Sequence, residues 1–245
     1  MLAKYLFKKS DMIIAVSHYE KRLLTEKFQL DERKIRYVPN GINVEKYSSH
    51  VHDVARKDYA SEEKTILYVG RLEEYKGVQF LLRAFPKIIA TIKNCQLLIA
   101  GDGNYKKALI SLVDRLKIRN KVYFLGNVTE SELIRLYLSS NVLIMPSQYE
   151  AFCIVLAEAM ACGLPVIATR VGGIPELLGN NRGFLIDYPP EINTLAKMTV
   201  YLLSNPSLSM RIGLEARKFV LPKFSWRSVT EDLFEIYNEV CYGVN

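Results

Sequence analysis

The chain has 245 residues, of which 49% are hydrophobic and 24% charged, a composition typical of a soluble globular protein. Its net charge is +7, but lysine and arginine are scattered, which argues against a nucleic-acid partner and suits phosphorylated ligands or an anionic membrane surface. Apolar runs such as Met12–Val16 are too short to span a bilayer, and the first residues lack the apolar core and cleavage site of a signal peptide.

The first part of the chain predicts the end of one α/β unit. Residues 1–9 have the pattern of an amphipathic helix, and Asp11–Val16 has the composition of a buried parallel strand. Ser17 is in position to cap a helix over residues 18–28. A second short strand is predicted at Lys34–Val38, ended by the turn Pro39-Asn40-Gly41.

Strands and helices alternate regularly from Lys64 onward, after a polar stretch at residues 48–63 that predicts a linker. Apolar runs of strand length lie at 65–69, 96–100, 121–125, 142–145, 165–169 and 183–186. Helical patterns lie at 77–90, 104–116, 129–138 and 152–162, in a short helix at Pro175, and over most of 191–241. This alternation predicts an α/β fold with a doubly wound parallel, Rossmann-like sheet.

The candidate site residues are those that directly follow each strand, because ligands of open α/β sheets bind beyond the carboxyl ends of the strands. A glycine turn at such a place is weak evidence by itself, since many strand–helix connections contain one without binding a ligand. In this chain the positions are Gly70-Arg71, Gly101-Asp102-Gly103, Gly126-Asn127, Ser147–Glu150 and Arg170–Gly173.

The segment from Glu150 to Glu158 is the most informative in the chain. It places one carboxylate on the loop after a strand and a second about two turns inside the following helix. The free N–H groups of the helix start lie between them and favour an anion such as phosphate. The neighbours of Glu158 from Val155 to Met160 are apolar, and a carboxylate there is rarely buried without a partner, although a surface position is the alternative. The pattern suggests a ligand with phosphates and hydroxyls, such as a nucleotide sugar.

Two cations follow the first strand of the regular domain. Arg71 offers a planar fork for phosphate oxygens, and Lys76 places a point charge at the start of the next helix. Together they would neutralise a diphosphate, although an ordinary loop with surface charges has the same composition. Further along, Gly172-Gly173 would let a ligand approach the backbone closely, or would form only a tight turn.

The cysteines and histidines predict neither a metal site nor nucleophilic catalysis. The cysteines lack metal-ligand spacing and occupy apolar or helical contexts, which predicts reduced, buried thiols of a cytosolic protein. The histidines precede the regular domain, and surface or structural roles are expected for them. These residues are Cys95, Cys153, Cys162 and Cys241, and His18, His50 and His52.

Taken in order, these motifs resemble the retaining, nucleotide-sugar-dependent glycosyltransferases of family 4, the glycosyl transferase group 1 type with GT-B architecture. The similarity runs from about Asp11 to the C-terminus. Each motif is modest evidence, but the ordered set is highly specific. The motifs are Ile14–Ser17, Val38–Gly41, Val69–Leu72 with Lys76-Gly77, Ala100–Gly103, Leu125–Val128, Pro146–Ala168, Gly172–Glu176 and Phe224–Trp226.

The resemblance implies a role for each matching position. Arg71 and Lys76 would hold the donor diphosphate and, with Glu150 at the transferred sugar, form the catalytic set. Glu158 would bind the ribose hydroxyls, and the backbone around Asn127 would border the base. The remaining donor-binding positions would be Gly70, Gly101, Asp102, Phe152, Cys153 and Ile154. Such enzymes need no metal or other cofactor, because arginine, lysine and the helix dipole stabilise the departing diphosphate of a UDP-, GDP- or ADP-sugar.

The chain departs from the family pattern at a turn and in length. The family usually has glycine at the positions of Ala151 and Cys153, so the added β-carbons narrow a turn where backbone approaches ligand. Asn43 stands where the family often has aspartate. The resemblance further implies that residues 1–47 are a remnant of the N-terminal acceptor domain and 64–224 the donor-binding domain. Residues 225–245 would form a helix that crosses back.

The sequence thus predicts a glycosyltransferase domain that, in the complete enzyme, transfers a sugar with retention to a glycan or lipid-linked acceptor. Its expected location is the cytoplasm or the cytoplasmic face of the membrane. The alternative is a non-catalytic donor-binding fragment or split-enzyme subunit that needs an N-terminal partner. A nucleotide-sugar epimerase or a phosphorylase relative would keep the fold, but would need acid/base groups of the missing domain or a pyridoxal-binding lysine context that the sequence does not offer.

Overall fold

The computed structural model describes residues 2–49 and 63–243. His50, His52 and most of the predicted linker lie outside the described residues. The helices are α1 Leu2–Lys9, α2 His18–Phe28, α3 Val44–Ser49, α4 Val78–Thr91, α5 Lys106–Arg115, α6 Glu130–Ser139, α7 Ile154–Ala161, α8 Ile174–Leu178, α9 Ile192–Leu203, α10 Pro206–Lys223 and α11 Trp226–Tyr242. The strands are β1 Ile13–Ala15, β2 Ile35–Tyr37, β3 Lys64–Val69, β4 Cys95–Ala100, β5 Val122–Gly126, β6 Val142–Met145, β7 Val166–Thr169 and β8 Phe184–Ile186.

The strands from β3 onward form one six-stranded parallel sheet in the order β5-β4-β3-β6-β7-β8. The first strand of this sheet in chain order, β3, lies at its centre. Strands β4 and β5 are added on one side of β3, and the chain then returns to place β6 on the other side. This order confirms the predicted doubly wound fold and creates a topological switch point between β3 and β6, where a crevice opens at the carboxyl ends of the strands.

Burial on both faces explains why the strands read as continuous apolar runs. All six residues of β3 and all four of β6 are buried, as expected for parallel strands covered by helices on both sides. The apolar face of α4 contributes Leu81, Leu82 and Phe85, each fully buried. The core is thus continuous around the central strands, and it fixes where their carboxyl ends lie.

The N-terminal segment forms a separate, small unit. Strands β1 and β2 pair in parallel in a two-stranded sheet of their own. Its apolar side chains, among them Ala15, Leu24 and Ile35, make a cluster distinct from the main core. The ring of Phe7 in α1 packs edge-on against Phe28 in α2 with 5.8 Å between centroids. The segment joins the larger domain through the connection at residues 38–43.

Local capping chemistry confirms two predicted helix starts. The Ser17 hydroxyl accepts a hydrogen bond from the Glu20 N–H at 3.1 Å at the start of α2. Thr129 and Glu132 form a reciprocal capping box at the start of α6. In each case the donor and acceptor lie within three residues of each other, so the pattern is legible in the sequence.

Helix α3 was not predicted, although its cap has a sequence signal. The Asn43 side chain accepts from the Lys46 N–H at 3.0 Å, as an N-cap asparagine does. The predicted linker of residues 48–63 overlaps the end of this helix, because Ser49 still belongs to α3. The polar composition of this six-residue helix concealed it.

Helix α7 begins at Ile154, later than the predicted start at residue 152. The reason is tertiary: the Phe152 side chain is buried and packs against Phe224 with ring centroids 5.3 Å apart. Cys153 then adopts a left-handed conformation with φ of 74°, which is incompatible with a continuing helix. Glu158 therefore lies little more than one turn inside α7, and the expected two turns are wrong.

The C-terminal region is helical as predicted, but it consists of three successive helices, α9, α10 and α11. The connection from the small unit is tied to the last junction, where the Ile42 N–H donates to the Phe224 carbonyl at 2.7 Å. Cys241 on α11 is exposed, so the prediction of buried thiols is correct for the other three cysteines and wrong here. Across residues 2–49 and 63–243, no helix combines the length and apolarity that crossing a membrane requires.

Candidate functional site at the switch point

The switch point brings together the loops that follow β3 and β6. The two strands are paired in parallel, with Leu67 opposite Leu143, so their carboxyl ends emerge side by side. The loop after β3 carries Arg71 and Lys76, and the loop after β6 carries Glu150. The Gln148 N–H donates to the Tyr75 carbonyl at 2.7 Å and links the two loops directly.

Lys76 and Glu150 form an ion pair within this crevice. The Lys76 Nζ lies 2.7 Å from Oε1 of Glu150, and the two side chains are only 15% and 10% exposed. The same Oε1 accepts a hydrogen bond from the buried Ser147 hydroxyl at 2.9 Å. Lys76 is the last residue of a short 3₁₀ turn, Glu74–Lys76. The pair is thus a fixed charge arrangement in a largely desolvated place.

Arg71 is exposed beside the pair and is held through its backbone and through Tyr75. Its guanidinium donates to the Tyr75 hydroxyl, and the guanidinium carbon lies 5.9 Å from the centroid of the Tyr75 ring. The fully buried Tyr68 hydroxyl donates to the Arg71 carbonyl at 3.0 Å. Burial, and then the nearby negative charge of Glu150, raise the pKa of Tyr68, so its hydroxyl remains a donor at neutral pH. No sequence pattern indicates this role of Tyr68.

The glycine turns after β3, β4 and β5 lie against one another. A β-carbon on Gly101, whose φ is 129°, would lie 2.0 Å from the Gly70 carbonyl oxygen. The Gly101 N–H donates to the Gly126 carbonyl at 2.7 Å. The Asp102 carboxylate bonds locally to Lys106 and to the Gly103 N–H, which together lower its pKa. These turns form one backbone surface, and Asn127 is exposed at its end.

The glycines before α8 hold Glu150 by close backbone contact. A β-carbon on Gly172, at φ of 56°, would lie 1.7 Å from the Glu150 carbonyl oxygen. The Gly173 N–H donates to that oxygen at 3.0 Å. The close approach expected at this turn is therefore an approach to another part of the protein. No other residue type fits at position 172 without displacing the loop that carries Glu150.

The start of α7 lies directly after this loop. The N–H groups of Leu156 and Ala157 bond to the Cys153 carbonyl, so those of Ile154 and Val155 have no acceptor within the helix. Ile154 is 44% exposed, whereas Phe152 and Cys153 are buried. Such a helix start attracts anions through its free N–H groups and its dipole.

Glu158 is bound by two tyrosines that sequence reasoning missed. Its Oε1 accepts from the Tyr47 hydroxyl of α3 and its Oε2 from the Tyr137 hydroxyl of α6, each at 2.8 Å. Burial raises the pKa of Glu158, and the two hydrogen bonds oppose that shift in part. Both tyrosines look like ordinary core residues in the sequence. Their only signal is that a buried tyrosine hydroxyl needs a partner.

Comparisons with known proteins show which family the chain resembles. A family model for glycosyl transferases group 1 matches residues 52–219, and one for glycosyltransferase family 4 matches residues 1–46. An uncharacterised glycosyltransferase of Methanocaldococcus jannaschii is 34% identical over 93% of this chain and 60% of its own length. The N-acetyl-alpha-D-glucosaminyl L-malate synthase of Bacillus anthracis is 31% identical over 98% of this chain and 62% of its own length.

Solved structures show the same fold. The sucrose-phosphate synthase of Thermosynechococcus elongatus matches with a TM-score of 0.85 at 28% identity, over 100% of this chain and 62% of that one. The matches cover 60% and 62% of the lengths of the two relatives named above. The chain therefore spans about three fifths of their length.

Proposed function

Because the chain belongs to the glycosyl transferases group 1 family, we propose that it binds a nucleoside-diphosphate sugar and supplies the donor half of a sugar-transfer site. The single observation that carries this proposal is the buried Lys76–Glu150 pair at the switch point, followed along α7 by a helix start and a second carboxylate. The cation and the free N–H groups match the diphosphate of such a donor, Glu150 matches its sugar, and Glu158 matches its ribose.

Each side chain has a role that its position supports. Arg71 and Lys76 neutralise the diphosphate, together with the amides at the start of α7 around Cys153 and Ile154. Glu150 contacts the transferred sugar. The remaining donor-binding positions support these contacts: Glu158 binds the ribose hydroxyls, Asn127 borders the base, Gly70, Gly101 and Asp102 form the adjoining turns, and Phe152 anchors the α7 turn.

The proposed reaction replaces one bond at the anomeric carbon of the sugar by another on the same face. The bond to the diphosphate oxygen breaks, the acceptor hydroxyl oxygen bonds to that carbon, and the leaving phosphate takes the hydroxyl proton. Arg71, Lys76 and the α7 dipole stabilise the negative charge that develops on the diphosphate, so the scheme uses no metal or other cofactor.

The acceptor side of the site requires residues beyond those that carry the donor. The chain covers about three fifths of its relatives, and full transfer to a glycan or lipid-linked acceptor belongs to the complete enzyme. The alternative role is that of a donor-binding fragment or split-enzyme subunit that acts with a separate N-terminal partner. In either case we place the protein in the cytoplasm or peripherally on the cytoplasmic membrane face.

Calorimetry and thermal-shift measurements test donor binding. The purified chain is titrated with UDP, GDP and ADP, and with the glucose and N-acetylglucosamine conjugates of each. Saturable heat and a rise in Tm with one base are expected. Absence of heat and of any Tm shift across the panel would refute the proposal for this chain. Sugar transfer by the purified chain alone would refute the partner-dependent alternative.

A further inference from the structure

The carboxylate of Glu158 is held from behind by two tyrosines on different elements. Tyr47 in α3 and Tyr137 in α6 each donate a 2.8 Å hydrogen bond, one to each carboxylate oxygen. Tyr47 is 4% exposed and Tyr137 is 0% exposed, whereas Glu158 is only partly buried. Their rings pack edge-on with centroids 6.2 Å apart. The tyrosines thus close the buried side of Glu158 and leave its other side reachable from solvent.

This arrangement fixes the direction and charge of the carboxylate. A bond to each oxygen restrains rotation of the carboxylate plane, which a single bond would not do. Two hydroxyl donors also favour the ionised form in a helix whose neighbouring residues Ala157 and Ala159 are fully buried and apolar. A carboxylate has about four lone-pair sites, so about one site on each oxygen remains after the tyrosines are counted.

Two acceptor sites side by side match a vicinal diol. We propose that Tyr47 and Tyr137 are positioning residues that orient Glu158 so that its two free acceptor sites receive the 2′ and 3′ hydroxyls of a ribose. This inference rests on the proposed function, and it adds two residues to the donor site. One of them, Tyr47, comes from α3, which lies in the chain between the connection at residues 38–43 and β3.

Their hydrogen bonds to the Glu158 carboxylate distinguish Tyr47 and Tyr137 from tyrosines that only fill the core. Phenylalanine would fill the same volume without placing a hydroxyl against Glu158. Burial raises the pKa of Tyr137, and the negative charge of Glu158 raises it further, so at neutral pH the hydroxyl is a donor and the carboxylate is the acceptor. The effect of removing a hydroxyl should therefore reach the ligand only through Glu158.

The test compares ribose and dideoxyribose ligands. Calorimetry measures the affinity of the chain and of Tyr47→Phe, Tyr137→Phe and the double variant for UDP, GDP and ADP and for the 2′,3′-dideoxy form of each. The normal chain should prefer the ribose form. Each single substitution should weaken ribose binding about 2- to 10-fold, the size of one hydrogen bond, and leave dideoxy binding unchanged.

A matched control is Tyr123→Phe, because Tyr123 is exposed and its hydroxyl donates to the carbonyl of Asn120 at 3.2 Å, a residue that precedes the amino end of β5. It should leave both affinities unchanged. Equal weakening of ribose and dideoxy ligands, or no weakening of either, would overturn the inference. So would a normal chain that binds nucleotide without any preference for ribose, a result that leaves the proposed donor binding intact. Absence of all nucleotide binding overturns both.

A second measurement holds even where Tyr137→Phe does not fold. Tyr47→Phe, Glu158→Ala and their double variant form a double-mutant cycle measured by the affinity for the ribose ligand. Because Tyr47 acts through the Glu158 carboxylate, its substitution should have no further effect once Glu158→Ala has removed that carboxylate. Additive losses of affinity would overturn the positioning role.

Discussion

The Lys76 Nζ lies 2.7 Å from Oε1 of Glu150, although 74 positions separate the two residues in the chain. They meet because β3 and β6 are neighbours at the switch point, and each residue lies on the loop that follows one of these strands. The pair is largely buried, so each charge depends on the other. A bound diphosphate would add its negative charge on the lysine side of this pair.

Breaking this ion pair should destabilise the fold. Lys76→Met leaves the Glu150 carboxylate buried with only the Ser147 hydroxyl, and we expect a loss of about 3 kcal/mol in the free energy of unfolding. The double variant with Glu150→Gln should recover much of that loss. Urea unfolding at pH 7 measures both.

The control for that prediction is the exposed pair Arg227–Glu231, with side chains 88% and 67% exposed. Arg227→Met should change the free energy of unfolding by less than about 0.5 kcal/mol, because exposed pairs contribute little. If Lys76→Met lowers the free energy of unfolding no more than Arg227→Met does, the buried ion pair does not stabilise the fold.

Glu158→Gln should weaken nucleotide binding. If Glu158 binds the ribose as proposed, the neutral amide loses charge-assisted hydrogen bonds to the ribose, which corresponds to about 1–3 kcal/mol of binding free energy. Calorimetry with the best-bound ribonucleoside diphosphate measures the loss. The surface substitution Glu215→Gln on α10, which removes only an exposed pair with Lys218, serves as the control. Unchanged affinity in Glu158→Gln would refute the ribose assignment.

The raised pKa of Glu158 predicts a pH-dependent stability. Its ordinary pKa is 4.5, and burial places the folded-state value above that. The folded state therefore binds this proton more tightly than the unfolded chain, and the contribution of Glu158 to stability falls as pH rises from 4.5 through the folded pKa. The difference in Tm between the normal chain and Glu158→Gln should decline over that range. A Tm difference that stays constant or rises with pH would contradict this prediction.

The cap of α9 predicts the opposite dependence. The Glu191 carboxylate accepts hydrogen bonds from the Thr194 hydroxyl and from the N–H groups of Asn193 and Thr194, which lower its pKa to about 2. Its contribution to stability is present above the ordinary pKa of 4.5 and is lost as pH falls toward 2. Glu191→Gln should have a lower Tm at pH 7, and the deficit should shrink between pH 4.5 and pH 2. A Tm deficit that stays constant between pH 4.5 and pH 2 would show that the ionisation of Glu191 is not its cause.

The left-handed conformation of Cys153 predicts an unusual order of stabilities. At a φ of 74° any β-carbon is strained, and glycine avoids that strain. Cys153→Gly should therefore be more stable than Cys153→Ala by about 1 kcal/mol, whereas at an ordinary position alanine is the better residue. Chemical unfolding of the two variants measures the difference. An alanine variant as stable as the glycine variant would show that the turn relaxes.

Helix caps and apolar runs in the sequence determine much of the secondary structure without help from tertiary contacts. Ser17 and Thr129 cap their helices through bonds to residues three positions away, and the strand at 142–145 is an uninterrupted apolar run. The start of α7 was predicted too early, because the burial of Phe152 against Phe224 depends on a distant helix. The candidate positions after each strand followed from the parallel alternation of strands and helices.

Apart from α3 and the division of the C-terminal region into three helices, the sequence by itself determined the order and type of the elements and which loops follow the strands, because those depend on apolar periodicity and on hydrogen bonds between near neighbours. Only the tertiary structure decided that Lys76 faces Glu150, that Gly172 packs on the Glu150 carbonyl, and that Tyr47 and Tyr137 hold Glu158. These contacts join residues on separate elements. They form only after the strands pair, and strand pairing is set by the burial of the whole sheet.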